Sequence, residues 1–184
     1  MFDIIQIVFW CITYIFILVG NLKNKTTSMG TIPFFPTILN LSWEVNALIV
    51  SKGFWGHIVW LFLDLGVMAS CMYLMKEKRK KIQYIISILI GVVVFNIIFR
   101  LNMMLISSFV INAIMSVSFL LQRTKLLQKH KVLIATTKGM GTLFATLHYA
   151  KFSLFSAVLG ILIAIVDMIY LFFCLKEKRH INVD

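Results

Sequence analysis

The chain has 184 residues, of which 60% are hydrophobic and 14% charged, and its formal net charge is +11. At a mean hydropathy of +0.94, a water-soluble domain of this size has no interior large enough to hide the apolar surface, so soluble enzymes and soluble nucleic-acid binders are excluded. The expectation is an all-α, polytopic membrane helical bundle forming one domain over residues 1–184, with no room for a separate soluble part.

In chain order, seven stretches reach the ~17–25 residues that a spanning helix needs. They run roughly over 4–20, 34–51, 54–75, 82–99, 101–121, 131–150 and 152–175. The tightest junctions fall at Arg100 and Lys151, and a six-helix count is the alternative if two runs fuse there. Basic residues cluster at Lys23/Lys25, Lys76–Lys81, Arg123–Lys131 and Lys176–Arg179, whereas the alternate connectors hold one each, Lys52, Arg100 and Lys151. Fourteen of the eighteen Lys and Arg thus fall on one side of a seven-span arrangement. By the positive-inside rule that side is cytoplasmic, which puts the N-terminus outside and the C-terminus inside a cell membrane. Topology and attraction to anionic lipid account for the basic runs without nucleic acid. The first span lacks a basic leader and a small-residue cleavage site and is read as retained. Cys11, Cys71 and Cys174 all lie within spans, far from metal-type spacing, and read as small packing residues.

Polar residues recur along these spans at helical spacing. Span 1 aligns Gln6, Trp10 and Tyr14. Span 2 opens at Pro33 and Pro36, and places Asn40 four residues before Glu44, with Trp43 beside it. Span 3 aligns His57, Trp60 and Asp64; span 5 aligns Ser108, Asn112 and Ser116; span 7 sets Asp167 three residues before Tyr170. Spans 4 and 6 add Asn96 and His148 near their outer ends.

Glu44, Asp64 and Asp167 stand inside apolar stretches, whereas Asp3, Glu77, Glu177 and Asp184 lie at termini or connectors. A charge at bilayer depth costs at least ~2.5–3.5 kcal/mol, so three such acids call for a reason. At ~1.5 Å per residue from the outer connectors, Glu44 lies ~12 Å deep, Asp64 ~15 Å and Asp167 ~22 Å. Polar groups in lipid face the bundle interior, so the stripes are expected to converge on one closed, aromatic-walled chamber. Plainer roles stand beside this one: a neutral hydrogen-bonded carboxyl that sets helix register, interfacial rings for His57, His148 and Trp55, and a Lys138 that snorkels toward the cytoplasmic side.

At Asn40-Leu-Ser-Trp43-Glu44, Trp60-Leu-Phe-Leu-Asp64 and Asp167-Met-Ile-Tyr170 the chain resembles the membrane-integrated terpene cyclases, known from fungal meroterpenoid and indole-diterpene pathways and from small bacterial relatives. The resemblance covers nearly the whole chain in span count and motif order and is specific at those three stretches. It implies a compact protein of about seven spans that cyclises a polyprenyl chain, often one with a terminal epoxide, by protonation and without a metal. It further implies that Glu44 and Asp167 are the essential carboxylates.

The residues suit that chemistry on their own terms. Burial disfavours a carboxylate anion, and a protonated carboxyl can act as general acid while a partner takes the final proton. A water-poor chamber protects a carbocation, and Trp and Tyr faces attract its charge. The expected site therefore has Glu44, Asp167 and Asp64 as catalytic acids, with Asn40, Trp43, Trp60, Tyr170, Asn96 and His148 around a prenyl or epoxyprenyl substrate drawn from the bilayer lipid. No Asp-rich diphosphate clamp and no nucleophile elbow occurs in the sequence, so no metal and no cofactor is expected, and no obligate protein partner is evident. The alternative is a small proton-coupled transporter using the same intramembrane acids.

Overall fold

The computed structural model describes residues 2–24, 34–121 and 131–181. These form seven α-helices: α1 (Phe2–Asn24), α2 (Phe34–Val50), α3 (Trp55–Leu74), α4 (Lys78–Arg100), α5 (Met104–Leu121), α6 (Lys131–Tyr149) and α7 (Leu154–Ile181). Every expected span has its helix. Pro33 and the basic residues Lys25 and Arg123–His130 lie outside the described residues. Both α4 and α7 run through the charged ends that a hydropathy reading trims away, because Lys and Arg are good helix formers and nothing in Lys78–Lys81 or Lys176–Arg179 breaks a helix.

Five helices, α1, α3, α4, α5 and α7, are long and apolar enough to cross a membrane. The other two differ for separate reasons. Helix α2 has 17 residues, and α6 is diluted by Thr136, Thr137, Lys138, Thr142 and Thr146. Helix α2 packs on α4, α3 and α5, while α6 packs on α1 and α7; α1 also meets α3, and α5 meets α7.

The outward faces are apolar. Phe62 is 71% exposed, Leu89 61%, Leu154 81% and Phe172 63%, whereas Ser42, Thr142, Ser156 and Lys138 are fully buried. Water solvates such an inside-out surface poorly and lipid tails solvate it well, which is consistent with a helical membrane bundle.

Two apolar clusters fill the interior. One gathers Tyr14, Val67, Met115, Phe119, Ile134, Tyr170 and Cys174. The smaller one gathers Trp43, Ala47, Phe95, Phe99 and Ile111. Cys11, Cys71 and Cys174 are free, as small packing residues should be.

Tight turns join the helices at one end. Chain reversal after α2 uses Lys52 at φ 53° and Gly53 at φ 82°, with the Gly53 N–H donating to Leu48 C=O at 3.0 Å. A Cβ on Gly53 would meet nothing within 4 Å, so its backbone conformation, and not crowding, is what calls for glycine. Between α4 and α5 the turn is three residues long, 101–103, with Asn102 at φ 58°.

Candidate functional site

A cavity of about 550 Å³ lies at this end of the bundle, between the two apolar clusters. Its size falls within the range typical of small-molecule sites. Its lining comes from α1 (Gln6, Trp10, Tyr14), from α2 between Asn40 and Val50, from the first turns of α3 (His57, Trp60) and from α5 between Met104 and Met115. Tyr149, Phe99 and Phe152 reach it from the ends of α6 and α4 and from the last connector, and it is partly open to the surroundings and not the closed chamber expected from the sequence. Among the lining residues are three tryptophans, two tyrosines and three phenylalanines, a single carboxylate, Glu44, and no Lys or Arg.

Glu44 is 3% exposed and shares a 2.9 Å hydrogen bond, Oε2 to Nδ1, with His57. The spacing of the two helices makes this contact: Glu44 lies two turns before the end of α2, and His57 sits in the first turn of α3 after a tight reversal. Three rings then fix the imidazole. Trp43 stands edge-on at 5.7 Å between centroids, Trp60 at 5.6 Å and Phe54 at 5.8 Å. Trp43 is itself oriented by its indole N–H, which donates to Ser107 Oγ at 3.0 Å.

One turn deeper on α2, Asn40 spends both amide protons, donating to Tyr14 Oη and to Asp64 Oδ2, each at 2.7 Å. Asp64 is 1% exposed and stands behind this amide. Asn40 and Tyr14 line the cavity and Asp64 does not.

The expected convergence of all three acids on one chamber is corrected here. Asp167 does not line the cavity; it pairs with Lys138, whose Nζ lies 2.7 Å from Oδ1 and 3.0 Å from Oδ2. Lys138 is 0% exposed, so it does not snorkel to the cytoplasmic side as the sequence suggested. Its position in the middle of α6 points the stem into the bundle, where an ammonium without water takes the carboxylate within reach. Glu44 is left as the acid on the wall, Asp64 sits one residue behind it, and Asp167 belongs to a separate ion pair.

Of the six residues expected around a substrate, Asn40, Trp43 and Trp60 line the cavity. The other three do not. Asn96 is exposed on α4 and donates to Asn46 Oδ1 at 3.3 Å. Tyr170 is fully buried against Phe119, with centroids 5.7 Å apart. His148 sets its ring edge on Tyr149 at 4.5 Å, and it is Tyr149 that reaches the cavity. The residue the sequence undervalued is His57. It shares a helical stripe with Trp60 and Asp64, but a ring near a helix end reads equally well as an interfacial anchor, and only the fold of α3 against α2 brings it to Glu44.

Among the described residues no group of three His, Cys, Asp or Glu could hold a metal ion. A carboxyl and an imidazole in hydrogen-bond contact form an acid–base couple able to give up or receive one proton, and aromatic faces around it favour a positively charged occupant. Comparison with protein-family models, with curated proteins and with solved structures finds no match to this chain.

Proposed function

We propose that the chain is a multi-pass protein of the cell membrane with seven spans, its N-terminus outside and its C-terminus cytoplasmic, and that its cavity carries out proton-initiated cyclisation of a prenyl or epoxyprenyl chain. One observation carries the reading: among the described residues Glu44, with His57 beside it, is the one carboxylate on an aromatic-walled cavity of about 550 Å³, and no described Lys or Arg lines it. That lining gives an anionic diphosphate no Lys or Arg to pair with and gives an uncharged lipophilic chain apolar walls. Glu44 delivers the first proton to the chain, the faces of Trp10, Trp43, Trp60 and Tyr14 attract the migrating cation, and the cyclised cation ends by losing a C–H proton to the Glu44–His57 couple, which restores it. Asp64, through Asn40, fixes the floor beneath Glu44.

The resemblance to the membrane-integrated terpene cyclases at residues 40–44 and 60–64 supports the same reading. Membranes containing the protein are incubated with plain and with epoxidised prenyl substrates, then again with the Glu44→Gln variant. Cyclised product from the native chain and its loss in the variant are expected. Cyclisation that survives in Glu44→Gln removes Glu44 from the reaction. Proton-coupled uptake in the absence of any prenyl turnover moves the site to the transporter alternative.

A further inference from the structure

Lys138 and Asp167 do more than cancel each other's charge. The Lys138 side chain is 0% exposed and that of Asp167 2%. Two ammonium protons serve the Asp167 carboxylate at 2.7 and 3.0 Å, and the third goes to Ser116 Oγ. With three donors on an ammonium, none is left over. One nitrogen thereby ties α6 to α7 and to α5.

The same face of α6 seats α1. The hydroxyls of Thr137 and Thr13 share a 2.8 Å hydrogen bond. At Gly141 a Cβ would stand 2.9 Å from Trp10 Cδ1 and Nε1, so the indole rests directly on the α6 backbone. The Lys138 ammonium lies 5.6 Å from the centroid of the Trp10 ring. Trp10 in turn lines the cavity.

We infer that Lys138 and Asp167 are positioning residues: their ion pair clamps α5, α6 and α7 together and holds Trp10 as a fixed panel of the cavity wall. Asp167 acts through Trp10 and does not touch the occupant. The clamp does not depend on what fills the cavity, so it goes beyond the cyclase reading and reassigns the acid that the family resemblance marks as essential. The physics is asymmetric. Removing one partner strands a charge in an apolar interior, whereas replacing both with apolar side chains of similar volume leaves nothing stranded.

The test compares full-length Asp167→Asn, Lys138→Met and the double variant Lys138→Met/Asp167→Leu, purified in detergent. Thermal unfolding is measured together with the fluorine NMR line of Trp10 in fluorotryptophan-labelled protein, the line being identified by its loss in Trp10→Phe. Each single variant is expected to lower Tm by about 10 °C and to broaden the Trp10 line. The double variant is expected to regain Tm to within a few degrees (about one third of that loss at most), with a sharp Trp10 line displaced from its native position because the ammonium over the ring is gone. A native Tm and a native Trp10 line in Asp167→Asn overturn the clamp. A double variant that regains both Tm and line shape yet turns over prenyl substrate as poorly as Glu44→Gln overturns the assignment of Asp167 as a positioning residue, since Asp167 would then be transferring the proton itself. If the native protein turns over no prenyl compound, the cyclase reading fails, while Tm and the Trp10 line still decide the clamp.

Discussion

Glu44 with His57 and Asp167 with Lys138 are both buried pairs of an acid and a base at hydrogen-bond distance, 2.9 and 2.7 Å. Their surroundings separate them. Glu44 and His57 border an open volume, and the imidazole is held edge-on by Trp43 and Trp60. Lys138 and Asp167 border only protein, with every ammonium proton committed to Ser116 or Asp167. A paired charge with nowhere to send its proton can hold helices together; a paired carboxyl beside a cavity can do chemistry. Depth in the bundle does not tell the two apart, because both pairs are almost fully buried.

The largest effect that tests this contrast is at the wall itself. Glu44→Gln keeps the side-chain shape and a hydrogen bond to His57, so prenyl turnover should fall by roughly 10²–10⁴-fold while Tm stays near that of the native protein, as product quantification and thermal unfolding will check. The opposite pattern, lost stability with retained turnover, would make Glu44 a second clamp. Next comes His57→Phe. It preserves a ring against Trp43 and Trp60 but removes the partner of Glu44, and turnover should drop about 10–100-fold in single-turnover kinetics.

A smaller effect is expected where the two regions meet. Gly141→Val drives methyl groups into the Trp10 indole, so stability should fall by about 1–3 kcal/mol in denaturation experiments. Binding of an uncharged prenyl alcohol, followed by quenching of tryptophan emission, should weaken in parallel, and unaltered binding would separate Trp10 from the cavity wall. The smallest belongs to the outward face. Phe62 is 71% exposed, and Phe62→Ala should change stability by no more than ~0.5 kcal/mol and leave turnover alone.

The helices were legible because each is a long apolar run bounded by charge or by a turn residue, a signal that survives without any tertiary information. Expected limits such as 54–75 and 131–150 lie within a residue or two of Trp55–Leu74 and Lys131–Tyr149. Half of the site was legible for a similar reason. Asn40, Trp43, Glu44 and Trp60 lie within about two turns of one another on adjacent helices joined by a short connector, so local spacing already aims them together.

Lys138 shows where that reasoning stops. Spacing puts it mid-helix, and a long cationic side chain in lipid ordinarily reaches for the headgroups. It turns inward because α5 and α7 offer Ser116 and Asp167 at the right height, a fact of helix packing across gaps of 22 and 29 residues. Tyr170 illustrates the same limit. Three residues from Asp167 on one helix, it shares that residue's face, but the face belongs to the apolar cluster around Phe119 and not to the cavity.

Composition and periodicity thus determined that the chain is an all-α bundle with apolar outer faces and that most of its intramembrane polar residues had to turn inward, Lys138 and Asn96 being the exceptions to that reading, because those depend on one helix at a time and on the cost of leaving a polar group in oil. Which inward groups meet one another was decided by tertiary packing alone. Pairing energy depends on ångström-scale distances between helices, and it is those distances that send Glu44 to a histidine at a cavity wall and Asp167 to a lysine in sealed protein.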